Sequence, residues 1–136
     1  MAESLEGGCH CKSVRFRVVL PEKKLPLIVW RCNCSICYMK QNHHFILPRS
    51  AFTLLSGETN LTLYQFGTRT AKWLFCKTCG VQCFYIPRSN PDGVAVTLYC
   101  LDKAPERMPW IYKEYDGRGS WETAYKETGV GALSKM

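Results

Sequence analysis

The sequence lacks a long hydrophobic run, because its longest clean apolar stretch, Leu27 to Trp30, is far too short to cross a bilayer. It opens without the charged and then apolar leader of a secreted protein. We find no internal repeat, no low-complexity tract and no linker-like segment. With 46% hydrophobic residues, the 136-residue chain is unlike a disordered tail. We therefore expect one folded domain that is intracellular, in the cytoplasm or the nucleus, and that makes no membrane contact.

Histidine is scarce, with three residues, whereas cysteine is abundant, with nine. An odd number of cysteines without a leader argues against a disulfide framework. The cysteines fall instead into a C-x-C motif at Cys9, a C-x-C-x-x-C motif at Cys32 and a C-x-x-C-G motif at Cys76. Thiolates at these spacings converge on one tetrahedral ion, and in the near absence of histidine they favour zinc over an iron–sulfur cluster.

The number of thiolates in each motif predicts two kinds of zinc site. A C-x-C and a C-x-x-C together close one structural site, which we assign to Cys9, Cys11, Cys76 and Cys79. The remaining motif offers three thiolates and leaves a fourth position for substrate or water, which predicts a second, reactive zinc at Cys32, Cys34 and Cys37.

Spacing alone leaves the pairing of these half-sites open. Cys83, Cys100 or a histidine could also complete the second site. We interpret Cys83 and Cys100 as core residues, because each belongs to an apolar run. Cys9 and Cys11 are expected on a strand, where both would face one metal and His10 would point away from it.

Alternating apolar and polar residues predict a mainly β domain. The expected strands are residues 14–18, 27–30, 61–66, 71–75, 82–86 and 94–100, with the turn at 76–79 joining two of them. Helix signals are few. Ser35 is a candidate cap for a short turn over 36–41, and Ser120 for a final helix that runs to about Lys126 before Gly129.

The motifs and their order resemble the glutathione-dependent formaldehyde-activating enzyme family. The resemblance covers about residues 5–128, leaving short tails at 1–4 and 129–136, and it rests on Gly7-Gly8-Cys9-His10-Cys11, Val14-Arg15-Phe16, Cys32-Asn33-Cys34-Ser35-Ile36-Cys37 and Phe75-Cys76-Lys77-Thr78-Cys79-Gly80-Val81-Gln82. The stretches 40–46, 84–91 and 100–102 look most like its centromere protein V branch. Two positions depart from the pattern, since Lys12 replaces a frequent glycine and Cys83 an expected serine.

This resemblance implies a zinc-bearing β-tent fold of small antiparallel sheets with one or two short helices, and the same division of cysteines between two zinc ions. It also implies a carbon–sulfur lyase that joins glutathione and formaldehyde to give S-(hydroxymethyl)glutathione. A small thiol, such as glutathione, is the expected partner.

The acid or base of such a reaction is poorly determined by the sequence. Asn42 and His44 follow the second cluster closely enough to reach it, although a surface or packing histidine explains His44 equally well. Tyr85 and Asp102 are further candidates for the acid or base, although the sequence does not show that either lies near the cluster. The carboxylates of glutathione could be held by Lys40, Arg69, Lys72 or Arg88.

The alternative is a non-enzymatic zinc module that binds chromatin or a protein partner, suggested by a formal net charge of +7. The basic residues are scattered, however, and no basic amphipathic helix is predicted, so nucleic-acid binding is disfavoured. Seven zinc-bound thiolates and two Zn²⁺ ions would also lower the net charge to about +4.

Overall fold

The computed structural model describes residues 2–21, 27–103 and 110–135. In these residues it contains ten strands and two α-helices, which confirms the mainly β prediction. In chain order they are β1 (Ala2–Gly8), β2 (Arg15–Pro21), β3 (Leu27–Cys32), α1 (Ser35–Lys40), β4 (His43–Pro48), β5 (Phe52–Ser56), β6 (Leu61–Tyr64), β7 (Lys72–Cys76), β8 (Phe84–Ile86), β9 (Gly93–Thr97), β10 (Trp110–Tyr115) and α2 (Trp121–Thr128). Short 3₁₀ turns occupy Arg49–Ala51, Glu58–Asn60, Leu98–Cys100 and Val130–Ser134.

The strands form two sheets. A three-stranded antiparallel sheet has the order β1-β2-β5, and a seven-stranded sheet has the order β10-β3-β4-β9-β8-β7-β6. Every pair in the larger sheet is antiparallel except β10 with β3, which run parallel with Tyr115 opposite Cys32. This pairing brings the C-terminal part of the chain beside the end of β3.

The larger sheet buries both of its faces, and its alternating side chains build two separate clusters. On β4, Phe45 and Leu47 belong to the cluster shared with the three-stranded sheet, whereas Ile46 belongs to the second cluster. The first face consists of Leu27, Val29, Phe45, Leu47, Phe84, Val94 and Val96. The second face carries Trp30, Cys32, Ile46, Trp73, Tyr85 and Ala95. The face that a residue occupies therefore decides whether it packs in the core or belongs to the candidate site.

The three-stranded sheet covers the first of these faces. Phe16, Val18 and Leu20 of β2 are fully buried, while the intervening Arg15 and Arg17 lie on the other side, where each pairs with Glu6. Gly7 of β1 comes so close to the turn after β9 that a Cβ there would lie within 2.2 Å of the Cys100 carbonyl oxygen. Only glycine permits that approach.

The second face is covered by the C-terminal segment. Ser120 caps α2 as predicted, since its hydroxyl oxygen accepts the backbone N–H of Thr123 at 3.2 Å, and the left-handed Gly129 follows the helix. The 3₁₀ turn after it buries Val130, which exposes 2% of its surface. No helix in the part of the chain that the structure describes is long and apolar enough to span a bilayer.

Several local predictions differ from the structure. Ser35 does not cap α1, because Cys34 occupies the extended N-cap position and Ser35 is the first helical residue. The run 94–100 forms β9 only as far as Thr97 and then turns as a 3₁₀ segment. Strands β1, β4, β5 and β10 were missed, because continuous apolar residues or glycines obscure the alternation expected of a strand.

Candidate metal centres and cavity

Four cysteines from two distant segments meet at one edge of the molecule. The Sγ atoms of Cys9, Cys11, Cys76 and Cys79 all lie within 4.8 Å of one another. Cys11 Sγ is 3.6 Å from both Cys9 Sγ and Cys76 Sγ. Sulfurs bound to one tetrahedral zinc at the usual bond length are separated by about 3.8 Å. The four thiols therefore lie close enough together to share one metal ion.

The first half of this cluster lies on a turn, which corrects the expectation that Cys9 and Cys11 lie on a strand. Strand β1 ends at Gly8, and the Lys12 N–H donates to the Cys9 carbonyl at 3.2 Å. The turn puts Lys12 in the left-handed region, with φ of 69°. This conformation favours glycine, the residue that the family resemblance leads us to expect at this position.

The second half is the turn between β7 and β8, as the spacing predicts. The Gly80 N–H donates to the Cys76 carbonyl at 2.8 Å, and Gly80 has φ of 78°. Two N–H groups also point at the sulfurs, with Asn60 Nδ2 3.3 Å from Cys76 Sγ and the Val14 amide 3.3 Å from Cys9 Sγ. Such donors stabilise thiolates. Backbone N–H groups of Cys11 and Val81 lower the pKa of Cys79 to about 6.

The other three predicted ligands meet where β3 runs into α1. Cys32 is the last residue of β3, Cys34 is the N-cap of α1, and Cys37 lies in the helix. Their Sγ atoms lie within 4.8 Å of one another, and no histidine or carboxylate of the described residues joins them. The donor set is three soft sulfurs, which fits zinc with one position left for another ligand.

Cys34 is the most acidic thiol of this cluster. Its pKa is lowered by hydrogen bonds from the thiols of Cys32 and Cys37, and further by the backbone N–H groups of Cys37 and Ile36. Hydrogen bonds with the sulfurs of Cys32 and Cys34, and then burial, raise the pKa of Cys37.

A cavity of about 430 Å³ opens over the three-cysteine cluster. Its floor is the second face of the large sheet, with Trp30, His44, Trp73 and Tyr85, and its far wall comes from the C-terminal segment. Cys32, Cys34 and Cys37 all line it, whereas none of the other four predicted ligands does. The two clusters therefore differ in surroundings, one lying at an edge and the other lining a chamber.

Of the two acid or base candidates, His44 on β4 lines the chamber, whereas Asn42 does not line it but lies beside Cys37. Asn42 Nδ2 is 3.7 Å from Cys37 Sγ, and both residues are buried. His44 Nδ1 is 3.4 Å from the Asn42 carbonyl oxygen and its Nε2 is 3.1 Å from the Tyr85 hydroxyl. Only an N–H can pair with a carbonyl, so Nδ1 carries the proton and Tyr85 donates to Nε2. Burial lowers the pKa of His44 to about 4.

The structure separates other candidates from the chamber. Asp102 pairs with Arg15 at 2.6 Å on the outer side of the small sheet and does not line the cavity. Cys83 is buried and interacts with the half-buried Cys100, whose thiol also lies 3.7 Å from the Gln82 carbonyl. Neither thiol joins a metal cluster.

Much of the chamber wall was not predicted from sequence. Asn33, between two ligands, anchors the segment after β10, because its Oδ1 accepts the N–H groups of Gly117 at 2.8 Å and Arg118 at 3.1 Å. Gly117 lies so close to the cluster that a Cβ there would be 2.9 Å from Cys34 Cβ. Tyr115 and Trp121 continue the wall. The Asp116-Gly117 pair is an ordinary turn signal, and nothing in the sequence connects it to residue 33.

Comparisons with known proteins point to one family. The sequence model of the family described as "Glutathione-dependent formaldehyde-activating enzyme" matches residues 4–115. A protein of Halomonas elongata named "Putative glutathione-dependent formaldehyde-activating enzyme" is 61% identical over 113 residues, which cover 77% of this chain and 70% of that protein.

A crystal structure of a Rhodobacter sphaeroides protein is similar to the fold, with a TM-score of 0.66 and 36% sequence identity. The alignment covers 79% of this chain and 100% of that one. Residues 4–115 include both cysteine clusters and every strand of the chamber floor. On these grounds the chain belongs to the glutathione-dependent formaldehyde-activating enzyme family.

Proposed function

We propose that the protein is a zinc-dependent enzyme of carbon–sulfur chemistry that handles a thiol adduct, with S-(hydroxymethyl)glutathione, formed from glutathione and formaldehyde, as its reference substrate. One observation carries the proposal. The three-cysteine cluster lines a chamber of about 430 Å³, and no fourth ligand from the described residues joins it. A binding module that used zinc only for stability would need neither the chamber nor the free position.

In this proposal Cys9, Cys11, Cys76 and Cys79 hold a structural zinc, and Cys32, Cys34 and Cys37 hold the reactive one. The fit of the sulfur spacing to a tetrahedral ion supports the first site, and the all-sulfur donor set supports both. A zinc held by three thiolates supplies a position for a fourth, exogenous thiolate at neutral pH.

The proposed synthesis forms one bond and opens another. The thiol sulfur adds to the formaldehyde carbon, the carbonyl π bond opens onto its oxygen, and that oxygen takes the proton that the thiol gave up. The reverse reaction is a carbon–sulfur lyase step. Trp30, Trp73 and Tyr85 would exclude water from the reacting atoms, because all three line the chamber and none is more than 4% exposed.

The neutral pair of His44 and Tyr85 provides a fixed hydroxyl at the wall of the chamber.

We also propose that the chain belongs to the centromere protein V branch of the family, because the stretches 40–46, 84–91 and 100–102 resemble that branch. None of the nine cysteines forms a disulfide, which suits our proposal of a reducing compartment such as the cytoplasm or the nucleus.

The test follows the formation of the adduct from ¹³C-formaldehyde and glutathione by NMR, corrected for the uncatalysed rate. We expect the zinc-loaded protein to accelerate it and Cys34→Ala to lose the acceleration. Cys83→Ser is the matched control, since it also alters a cysteine but one outside both clusters, and it should keep full activity. Undiminished acceleration by Cys34→Ala, or none by the zinc-loaded wild type, would overturn the proposal.

A further inference from the structure

Arg88 is one of two arginines among the described residues that line the chamber. Its guanidinium carbon lies 4.0 Å above the ring centroid of Trp121, and both residues line the cavity. Its side chain is 41% exposed, so the charge lies at the mouth of the chamber rather than inside it. Stacking on an indole face restrains the guanidinium and leaves its edge free to bind a planar anion.

The backbone that carries Arg88 is also fixed. Asn90, two residues later, is fully buried, and its Nδ2 donates to the Val130 carbonyl at 3.0 Å and to Ser134 Oγ at 2.9 Å. Its own N–H donates to the Pro87 carbonyl at 3.2 Å. These bonds tie the loop of residues 87–93 to the C-terminal 3₁₀ turn. Arg88 therefore starts from a rigid position, which limits the entropy lost on binding a ligand.

Apart from the three cysteines, the charged side chains that line the chamber are all positive. Among the described residues that line it, Arg88 and Arg118 are the only charged side chains other than the cysteines, and no aspartate, glutamate or lysine is present. Arg88 has one anionic partner, Glu122, at 3.5 Å. Glu122 is 72% exposed, and such an ion pair is weak enough for a ligand to displace.

The other cations considered from the sequence are placed elsewhere. Lys40 donates to Gln82 at 2.9 Å and lies over the Phe75 ring in a neighbouring groove. Neither Arg69 nor Lys72 lines the chamber. Arg118 does line it, but its guanidinium stacks on Tyr38, which lies outside. Arg88 is therefore the best placed of these cations to meet a ligand that extends from the cysteines to the mouth.

The wall also lacks hydrogen-bond acceptors for some of its own donors. Trp30 Nε1, Trp73 Nε1 and the Tyr115 hydroxyl are buried without a partner, and all three residues line the chamber. An indole N–H can only donate, so the missing partners are acceptors. A thiol that also carries carbonyl and carboxylate oxygens suits this wall better than a purely apolar thiol does.

We infer that Arg88 is a specificity-determining residue that binds a carboxylate of the thiol substrate while the substrate's sulfur lies at the three-cysteine cluster. The inference rests on the proposed function for the position of the sulfur. It selects carboxylate-bearing thiols, such as glutathione, over small neutral ones.

The test compares glutathione, its diethyl ester and 2-mercaptoethanol with the zinc-loaded protein. Binding is measured directly from the change in fluorescence of the chamber tryptophans, and KM and kcat are measured with formaldehyde. Arg88→Met keeps an unbranched stem on Trp121 and removes the charge. Arg17→Ala is the control, because it also removes one positive charge but lies on the small sheet, 3.6 Å from Glu6.

We expect Arg88→Met to weaken glutathione binding and raise its KM about tenfold or more, with kcat little changed, because a charge-assisted bond to substrate is lost. Binding of the diethyl ester and of 2-mercaptoethanol should change by less than about twofold, and Arg88→Lys should recover part of the affinity for glutathione. Arg17→Ala should match the wild type throughout. An equal loss for all three thiols, or no loss for glutathione, would overturn the inference.

The proposed function and the inference fail differently. If the wild type accelerates no reaction but binds glutathione more tightly than its diethyl ester in an Arg88-dependent way, the enzyme proposal is wrong and the carboxylate site stands. If turnover is normal and insensitive to Arg88→Met, the enzyme proposal stands and the carboxylate site at Arg88 is wrong. Circular dichroism checks that each variant retains its fold.

Discussion

The Tyr85 hydroxyl lies 3.1 Å from Nε2 of His44, inside the wall of the chamber. The imidazole is 4% exposed, and its other nitrogen faces the Asn42 carbonyl, so it is held as the neutral Nδ1–H tautomer. The Tyr85 ring in turn stacks on Trp73 with 4.0 Å between centroids. The pair is thus fixed in orientation as well as in protonation.

His44 should make stability depend on pH. Its folded pKa is about 4, below the ordinary 6.5, so the unfolded chain binds the extra proton between these values. Stability contributed by the neutral ring is therefore present above pH 6.5 and is lost as the pH falls towards 4. From pH 7 to pH 5 we expect a loss of about 2 kcal/mol in the free energy of unfolding.

Urea unfolding at pH 7 and pH 5 measures this loss, with His44→Gln as the comparison. The variant has no group that titrates at this position, so its free energy of unfolding should fall less, by the amount that His44 contributes. Metal release at low pH affects both proteins and cancels in the difference. Equal pH dependence in the two proteins would show that His44 is not held neutral.

Cys79→Ser should remove the four-cysteine site and unfold the β domain. A structural zinc in a small domain contributes on the order of ten kcal/mol, and this site joins the two sheets through Cys9 and Cys76. Bound zinc and circular dichroism report the outcome, and Cys83→Ser, another cysteine of the same region, should keep both signals. Native circular dichroism after Cys79→Ser, or after complete chelation, would contradict the structural role.

Gly117→Ala should weaken the three-cysteine site selectively. The added Cβ would lie 2.9 Å from Cys34 Cβ and 3.2 Å from Cys32 Sγ, so the cluster must shift to admit it. Distortion around metal ligands commonly lowers metal affinity about tenfold or more. Competition with a chromophoric chelator should show one zinc released more easily and the other unchanged. Loss of both ions together would indicate general unfolding instead.

Glu122→Gln should improve glutathione binding, because Glu122 competes with the substrate carboxylate for Arg88. The pair is exposed, so we expect a decrease in KM of only about twofold, which high salt should abolish. The KM for 2-mercaptoethanol, which has no carboxylate, serves as the control and should stay constant. A higher KM for glutathione would mean that Glu122 positions Arg88 rather than competing for it.

The sequence was most informative about the metal ligands, because these cysteines are close together in the chain. The three cysteine motifs indicate the thiols of both clusters, because cysteines two or three residues apart are well placed to bind the same ion. The turn at 76–79 was also predictable, since it lies between two alternating strands. In contrast, the turn that carries Cys9 and Cys11 was not predictable. It needs a left-handed residue at position 12, and the lysine there does not indicate this conformation.

The chamber could not be predicted in the same way, because it depends on contacts between residues far apart in the chain. The residues that flank Trp30 and Trp73 in the sequence indicate only that these tryptophans are buried. His44 lies in a run of buried residues with no alternation. The choice of Arg88 among several exposed cations required the position of Trp121. These relationships arise from strand order, which single-sequence periodicity does not determine.

The parallel pairing of β10 with β3 makes the chamber a late structure during synthesis of the chain. All nine thiols precede residue 101, whereas the wall formed by Tyr115, Gly117 and Trp121 is synthesised after them. Asn33 meets this wall at Asp116, across 83 residues of chain. Until that contact forms, the sulfurs of Cys32 and Cys34 lack the wall that covers them in the folded protein. The C-terminal segment thus completes both the substrate chamber and the protection of the thiols that line it.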